Sequence, residues 1–112
     1  MRYALLIHDV AGAWKDLGDD ERTAIMGEYF AITRHPGIVG GEQLHGAETA
    51  TTVRVSDGVT ATSDGPFANT GEFFGGYYLL EGDDLDAAVG LASRIPAARM
   101  GGSVEIRPVV ER

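Results

Sequence analysis

Asp64 lies in the run Thr62-Ser63-Asp64-Gly65-Pro66-Phe67. A turn aspartate ordinarily accepts a hydrogen bond from the amide two residues on. Here that residue is Pro66, which has no N–H. The carboxylate must therefore turn to Phe67, a more distant donor, water or a ligand. That makes Asp64 the first candidate for a general base or an orienting acid. A turn aspartate satisfied by the Phe67 amide stands as the structural alternative.

His8 ends the first apolar run, and an imidazole with an ordinary pKa near ~6.5 suits proton transfer at neutral pH. A polar residue finishing a strand is the other reading. Glu42 follows Gly40-Gly41 and shares a strand face with Ile38 and Leu44, where a carboxylate needs a partner or its pKa rises. Arg54 and Arg107 offer a salt bridge. If Glu42 and Asp64 face one cavity, two carboxylates in different surroundings can divide acid and base roles. Glu72, after Asn69-Thr70-Gly71, is a third acidic candidate. Phe67, Tyr78 and Arg54 complete the residues expected to wall or contact a substrate, with Phe67 also read as a packing anchor.

Other chemistries find less support. No H-x-E or H-x-x-x-H pairing offers a metal site, and there is no cysteine for a thiolate ligand, nucleophile or disulfide. "GEFFGG" leads into a strand, whereas a phosphate-binding glycine loop opens a helix. No metal and no cofactor are expected.

These residues must be held by elements that one domain of 112 residues supplies. A net charge of −8 disfavours nucleic acid and anionic membrane surfaces. The opening "MRYALLIHD" is too short an apolar run to span a bilayer and lacks a signal cleavage site, so a cytoplasmic location is expected. Sixteen glycines, about double the usual ~7%, sit at the ends of periodic segments as punctuation for many short elements.

Tyr3, Leu5 and Ile7 alternate with Ala4, Leu6 and His8, and the largely apolar character of both sets predicts a strand covered on both faces. "LGDDERTAIMGEYFAITRHPG" predicts a helix capped by Asp19 or Asp20, with Ile25, Met26, Tyr29 and Ile32 inward. "GIVGGEQL" is a second strand. "TATTVRV" and "VTATS", joined through Asp57-Gly58, form a hairpin. "GGYYLLEG" is a strand and "DDLDAAVGLASRIP" a helix, capped by Asp83 or Asp84 with Leu85, Val89, Ala92 and Ile95 inward. "SVEIRPVV" ends the pattern as a strand. The fold class is α+β: a ferredoxin-like βαββαβ order with an inserted β-hairpin. Helices cover one sheet face only, and apolar Ala4, Leu6, Val39 and Tyr77 or Tyr78 call for a cover on the other. A second copy of the chain, as a homodimer, is the simplest cover.

The ordered set "YALLIHD", "GGEQL", "TATTVRV", "TSDGPF", "GGYYLL", "DDLDAA" and "SVEIRPV" resembles the YCII-related family, and more narrowly its DGPF-motif branch. The match spans nearly the whole chain as a single domain, 1–112. The resemblance implies a dimeric α/β barrel of two ferredoxin-like units. It also implies, for some relatives, an association with extracytoplasmic-function sigma factors. For a few wider relatives it implies small-molecule chemistry, including dehydrochlorination, with a His–Asp pair. The position of that helical histidine is Tyr29 in this sequence.

Two functions follow as expectations. The first is a cofactor-independent enzyme acting on an unknown small molecule, lyase-, isomerase- or hydrolase-like, with Asp64, His8 and Glu42 carrying acid–base chemistry. The second is a noncatalytic dimeric module that binds a ligand or a partner such as a sigma factor.

Overall fold

A computed structural model describes residues 1–68 and 70–112; Asn69, part of the segment expected to precede Glu72, lies outside the described residues. The elements run β1 (Arg2–Val10), α1 (Asp19–Thr33), β2 (Ile38–Gln43), β3 (Thr51–Ser56), β4 (Val59–Asp64), β5 (Glu72–Glu81), α2 (Leu85–Ala92) and β6 (Ser103–Pro108). Single 3-10 turns form at Ala47–Thr49 and Pro96–Ala98. Four strands make an antiparallel sheet of order β2-β5-β1-β6, the ferredoxin-like arrangement, and β3 pairs with β4 alone in a separate two-stranded sheet.

Parity along β1 sorts the sheet's two faces. Tyr3, Leu5 and Ile7 are buried and join Ile32, Leu80, Ala88, Leu91, Ile95 and Ala97 in the core under the helices. Each fully buried Leu or Ile contributes about 1.5–3 kcal/mol. Ala4 and Leu6 point the other way, and the register sets Leu79 and Tyr77 of β5 and Arg107 and Glu105 of β6 opposite them. Both are only half-buried, so within one chain this face lacks the cover expected from the sequence.

The helical segments bury Ile25, Ile32, Ala92 and Ile95 as expected and differ at Met26, Leu85 and Val89. Glu21 at the third helical position of α1 accepts a hydrogen bond from the Gly18 N–H (3.4 Å), so the cap precedes Asp19. Ile25 and Ile32 are buried, yet Met26 is half exposed because a cavity lies beneath this part of the helix. On α2, Asp84 is the cap and accepts from Ala87 N–H at 2.9 Å. Its buried stripe is Ala88, Leu91 and Ala92, while Leu85 and Val89 face outward. Small alanines let α2 approach the sheet closely, and the larger pair is left outside.

The hairpin stands away from this body. All of β3 and β4 is exposed except Thr52, which is half-buried and donates from Oγ1 to the Gly65 carbonyl at 2.8 Å. The radius of gyration is 15.9 Å. A compact chain near this length has a radius of about 13 Å, so the projecting hairpin enlarges the molecule. No helix among the described residues is long and apolar enough to cross a membrane.

Candidate functional site

The large cavity, about 1060 Å³, lies on the helical side of the sheet between α1, the loop after β1 and the β2–β5 edge. Its position follows from β1. Asp9 continues the parity of Tyr3, Leu5 and Ile7, so the strand that builds the core also carries a carboxylate onto the same face. Opposite it the pairing slips. Ile7 faces Gly76 but His8 faces Phe74, so Gly75 is an extra residue in β5, a β-bulge. Phe73 then pairs with Asp9.

Asp9 is half-buried and lines the cavity together with the aromatic residues Trp14, Tyr29, Phe73 and Tyr78. Burial pushes its carboxyl above the ordinary 3.8, against a smaller downward pull from the neighbouring His8 charge. The Tyr29 hydroxyl is pushed up to about 12, first by burial and then by the Asp9 charge beside it. At neutral pH it is therefore a neutral O–H and serves as a hydrogen-bond donor rather than a base.

Tyr78 fixes the roof. Its hydroxyl donates to the Tyr29 carbonyl at 3.0 Å, and Thr33 Oγ1 donates to the same oxygen at 3.2 Å. Burial raises the Tyr78 hydroxyl, and the Thr33 hydroxyl works against that rise. The Arg22 guanidinium, on the same wall, is committed to main-chain carbonyls of Trp14 (2.8 Å), Lys15 and Leu17, which pin the loop after β1.

Of the residues singled out from sequence, the cavity brings together Glu42, at its exposed edge, and Tyr78. His8 points to the opposite sheet face, with Nε2 3.4 Å from Glu105 Oε1 and its ring 5.8 Å from that of Phe74. Asp64 ends β4 opposite Thr51, exposed. Arg54 is exposed on β3 beside Ala61, and Phe67 is 80% exposed. Glu72, exposed at the start of β5, accepts from Ser103 Oγ at 3.4 Å. None of these five lines the cavity of its own chain. Sequence reasoning passed over Asp9 as an acid–base group and set Tyr29 down as core. The signal for Asp9 was present: one more step along the buried alternation of β1 lands on an acid.

Among the described residues no group of three or more His, Asp or Glu side chains is placed to hold a metal ion.

Comparison with known proteins supplies the frame. An uncharacterized protein of Rhizobium meliloti is 36% identical over 117 residues, covering 97% of this chain and 92% of its own. A similar solved structure is the 5-chloro-2-hydroxyhydroquinone dehydrochlorinase from Burkholderia phenoliruptrix in complex with 2,5-dihydroxybenzoquinone. It has a TM-score of 0.57 and 13% identity, over 100% of this chain and 96% of that one. At that identity the likeness is one of fold. The YCII-related domain matches residues 1–112, so the chain belongs to the YCII-related family.

Proposed function

We propose that the protein is a cofactor-independent enzyme that moves a proton on a small, largely apolar or aromatic molecule. The carrying observation is Asp9: a carboxylate with a raised pKa on the floor of a cavity walled by aromatic rings. A carboxyl held above its usual range is a better base once ionised and works closer to neutral pH. Asp9 takes the proton, and the neutral Tyr29 hydroxyl donates a hydrogen bond to charge that develops on the substrate. Tyr29 occupies the place where the family resemblance expects histidine. Glu42 borders the cavity from β2, where the register sets it opposite Tyr77, and Tyr78 holds the roof. His8 acts on Asp9 through its charge from the adjacent strand position.

The assembly we propose is a cytoplasmic homodimer, two sheets meeting through the face of Ala4, Leu6, Tyr77 and Leu79 as a dimeric α/β barrel of the DGPF branch. In it Asp64, Arg54, Phe67 and Glu72 reach a ligand only where a second copy brings them to the cavity.

The similar fold that carries out dehydrochlorination supplies the first compounds to try: chlorinated hydroxyquinols, with other ring compounds that bear an acidic proton. Halide release and ligand-induced thermal shift are the readouts. Turnover by the parent protein and its loss in Asp9→Asn, with the fold retained, is the expected result. Equal turnover in Asp9→Asn, or no compound bound, counts against the reading.

One observation favours a second reading, a noncatalytic module that binds a partner such as a sigma factor. The hairpin exposes Val53, Val55 and Val59, and a two-stranded hairpin alone is marginal in water. Co-purification of a sigma factor, lost when the three valines become threonine, separates this reading from the first.

A further inference from the structure

Gly75 is the bulge residue of β5, and its missing side chain faces the cavity carboxylate. A Cβ placed on Gly75 collides with Asp9 Oδ2 and comes within 3.3 Å of Asp9 Cγ and 3.8 Å of Phe73 Cε2. All three of these atoms belong to side chains. Gly76, next along, is constrained differently: its Cβ lies 2.7 Å from the Glu42 carbonyl oxygen, a main-chain atom that cannot yield. The φ of Gly75 is outside the left-handed region, so alanine tolerates its backbone conformation. Its carbonyl is also held, accepting from the Leu44 N–H at 2.9 Å. The glycine is thus required neither by backbone conformation nor by main-chain approach. What needs it is the carboxylate.

We propose that Gly75 is a positioning residue, the seat that sets where the Asp9 carboxylate lies in the cavity. The bulge turns this position toward Asp9, and the absence of Cβ opens the space that Oδ2 occupies. The inference rests on the acid–base reading of Asp9 for its functional meaning, though not for its geometry. The atom in the way of a Cβ is the end of a short side chain that can rotate. Gly75→Ala therefore moves the carboxylate and spares the fold.

The test is a carbon-detected NMR titration of the Asp9 carboxyl in the parent protein and in Gly75→Ala, with thermal unfolding alongside. The charges that act on Asp9 or share its cavity are His8, next to it on β1 but turned to the other sheet face, Tyr29 on α1, Lys15 and Arg22 on the wall and Glu42 at the edge, and all stay unchanged. The expected result is a nearly unchanged melting temperature, a displaced Asp9 resonance, and a carboxyl pKa that falls toward the ordinary value as the group swings to water. With a substrate in hand, kcat falls on the order of a hundredfold, as for a misplacement of about 1 Å. An Asp9 resonance and titration identical to the parent's overturn the proposal.

If Gly75→Ala does not fold, the double variant Asp9→Ala/Gly75→Ala decides. A folded double variant shows that the collision was with the carboxylate. An unfolded one assigns the glycine to the backbone and overturns the seat. A displaced carboxylate in a protein that binds none of the compounds leaves the seat standing and removes the acid–base reading.

Discussion

Replacing Tyr78 by Phe removes one oxygen and tests whether the cavity roof is tied down as described. The lost bond is the 3.0 Å contact from the Tyr78 hydroxyl to the Tyr29 carbonyl, which joins β5 to the C-terminal part of α1. Deleting a hydrogen bond costs most, about 1–3 kcal/mol, when it strands a buried partner. Here the acceptor keeps the Thr33 hydroxyl at 3.2 Å, so it is not stranded, and the ring packing survives in phenylalanine. The cost is set at about 0.5–1 kcal/mol, the lower part of the net range for one such bond. For a chain of this length that lowers the melting temperature by about 2–4 °C. Thermal and denaturant unfolding of the two proteins, followed by circular dichroism, measure it. No loss of stability refutes the tie and frees the hydroxyl for a ligand. A drop beyond about 10 °C, more than one such bond can cause, also refutes the reasoning. It would make Tyr78 a packing keystone rather than a one-bond strut.

Asp9→Asn should be more stable than the parent at pH 7 and equal to it near pH 3. A raised carboxyl pKa means that ionisation favours the unfolded chain: the deficit is absent below the unfolded value of 3.8 and complete above the folded one. Denaturant midpoints at the two pH values check it. Leu6→Glu puts a charge on the open sheet face and should convert a dimer to a monomer in sedimentation at micromolar concentration. A monomeric parent protein defeats the two-copy assembly at once. Asp64→Asn alters an exposed strand end. By the same unfolding assay it should change stability by less than about 0.5 kcal/mol.

Where local chemistry decided the outcome, the sequence was legible. The Asp57-Gly58 turn is one case: both residues adopt positive φ, 50° and 77°. A tight hairpin between twisted strands requires that conformation. The alternation of Tyr3, Leu5 and Ile7, the Asp84 cap and the order of elements were readable for the same reason. The inward face of α2 was legible at Ala92, and at Ile95 just past its end, but not over its first turns, because alanine at 88 carries little hydrophobic signal beside Leu85 and Val89. Only the closeness of the sheet shows which face is inward. The site was harder still. Asp9 is a cavity residue because a bulge across the strand, a glycine there and a helix above all meet it. No window of the sequence contains these three together. Asp64 was attractive for its missing local partner, and what placed it off the cavity of its own chain was the direction in which the hairpin leaves the body.

The strand order has a consequence for how the chain is made. β1, at the centre of the sheet, finds its neighbours only in β5 and β6, more than sixty residues later. Loop closure on that scale must precede any reward from the core, so the sheet is a late event in folding. The hairpin closes through two residues and forms on the microsecond scale. During synthesis the apolar first strand therefore waits unpaired while the hairpin, marginal on its own, opens and closes beside it. The interval before β5 emerges is when this chain is most exposed to aggregation or to the hold of a chaperone.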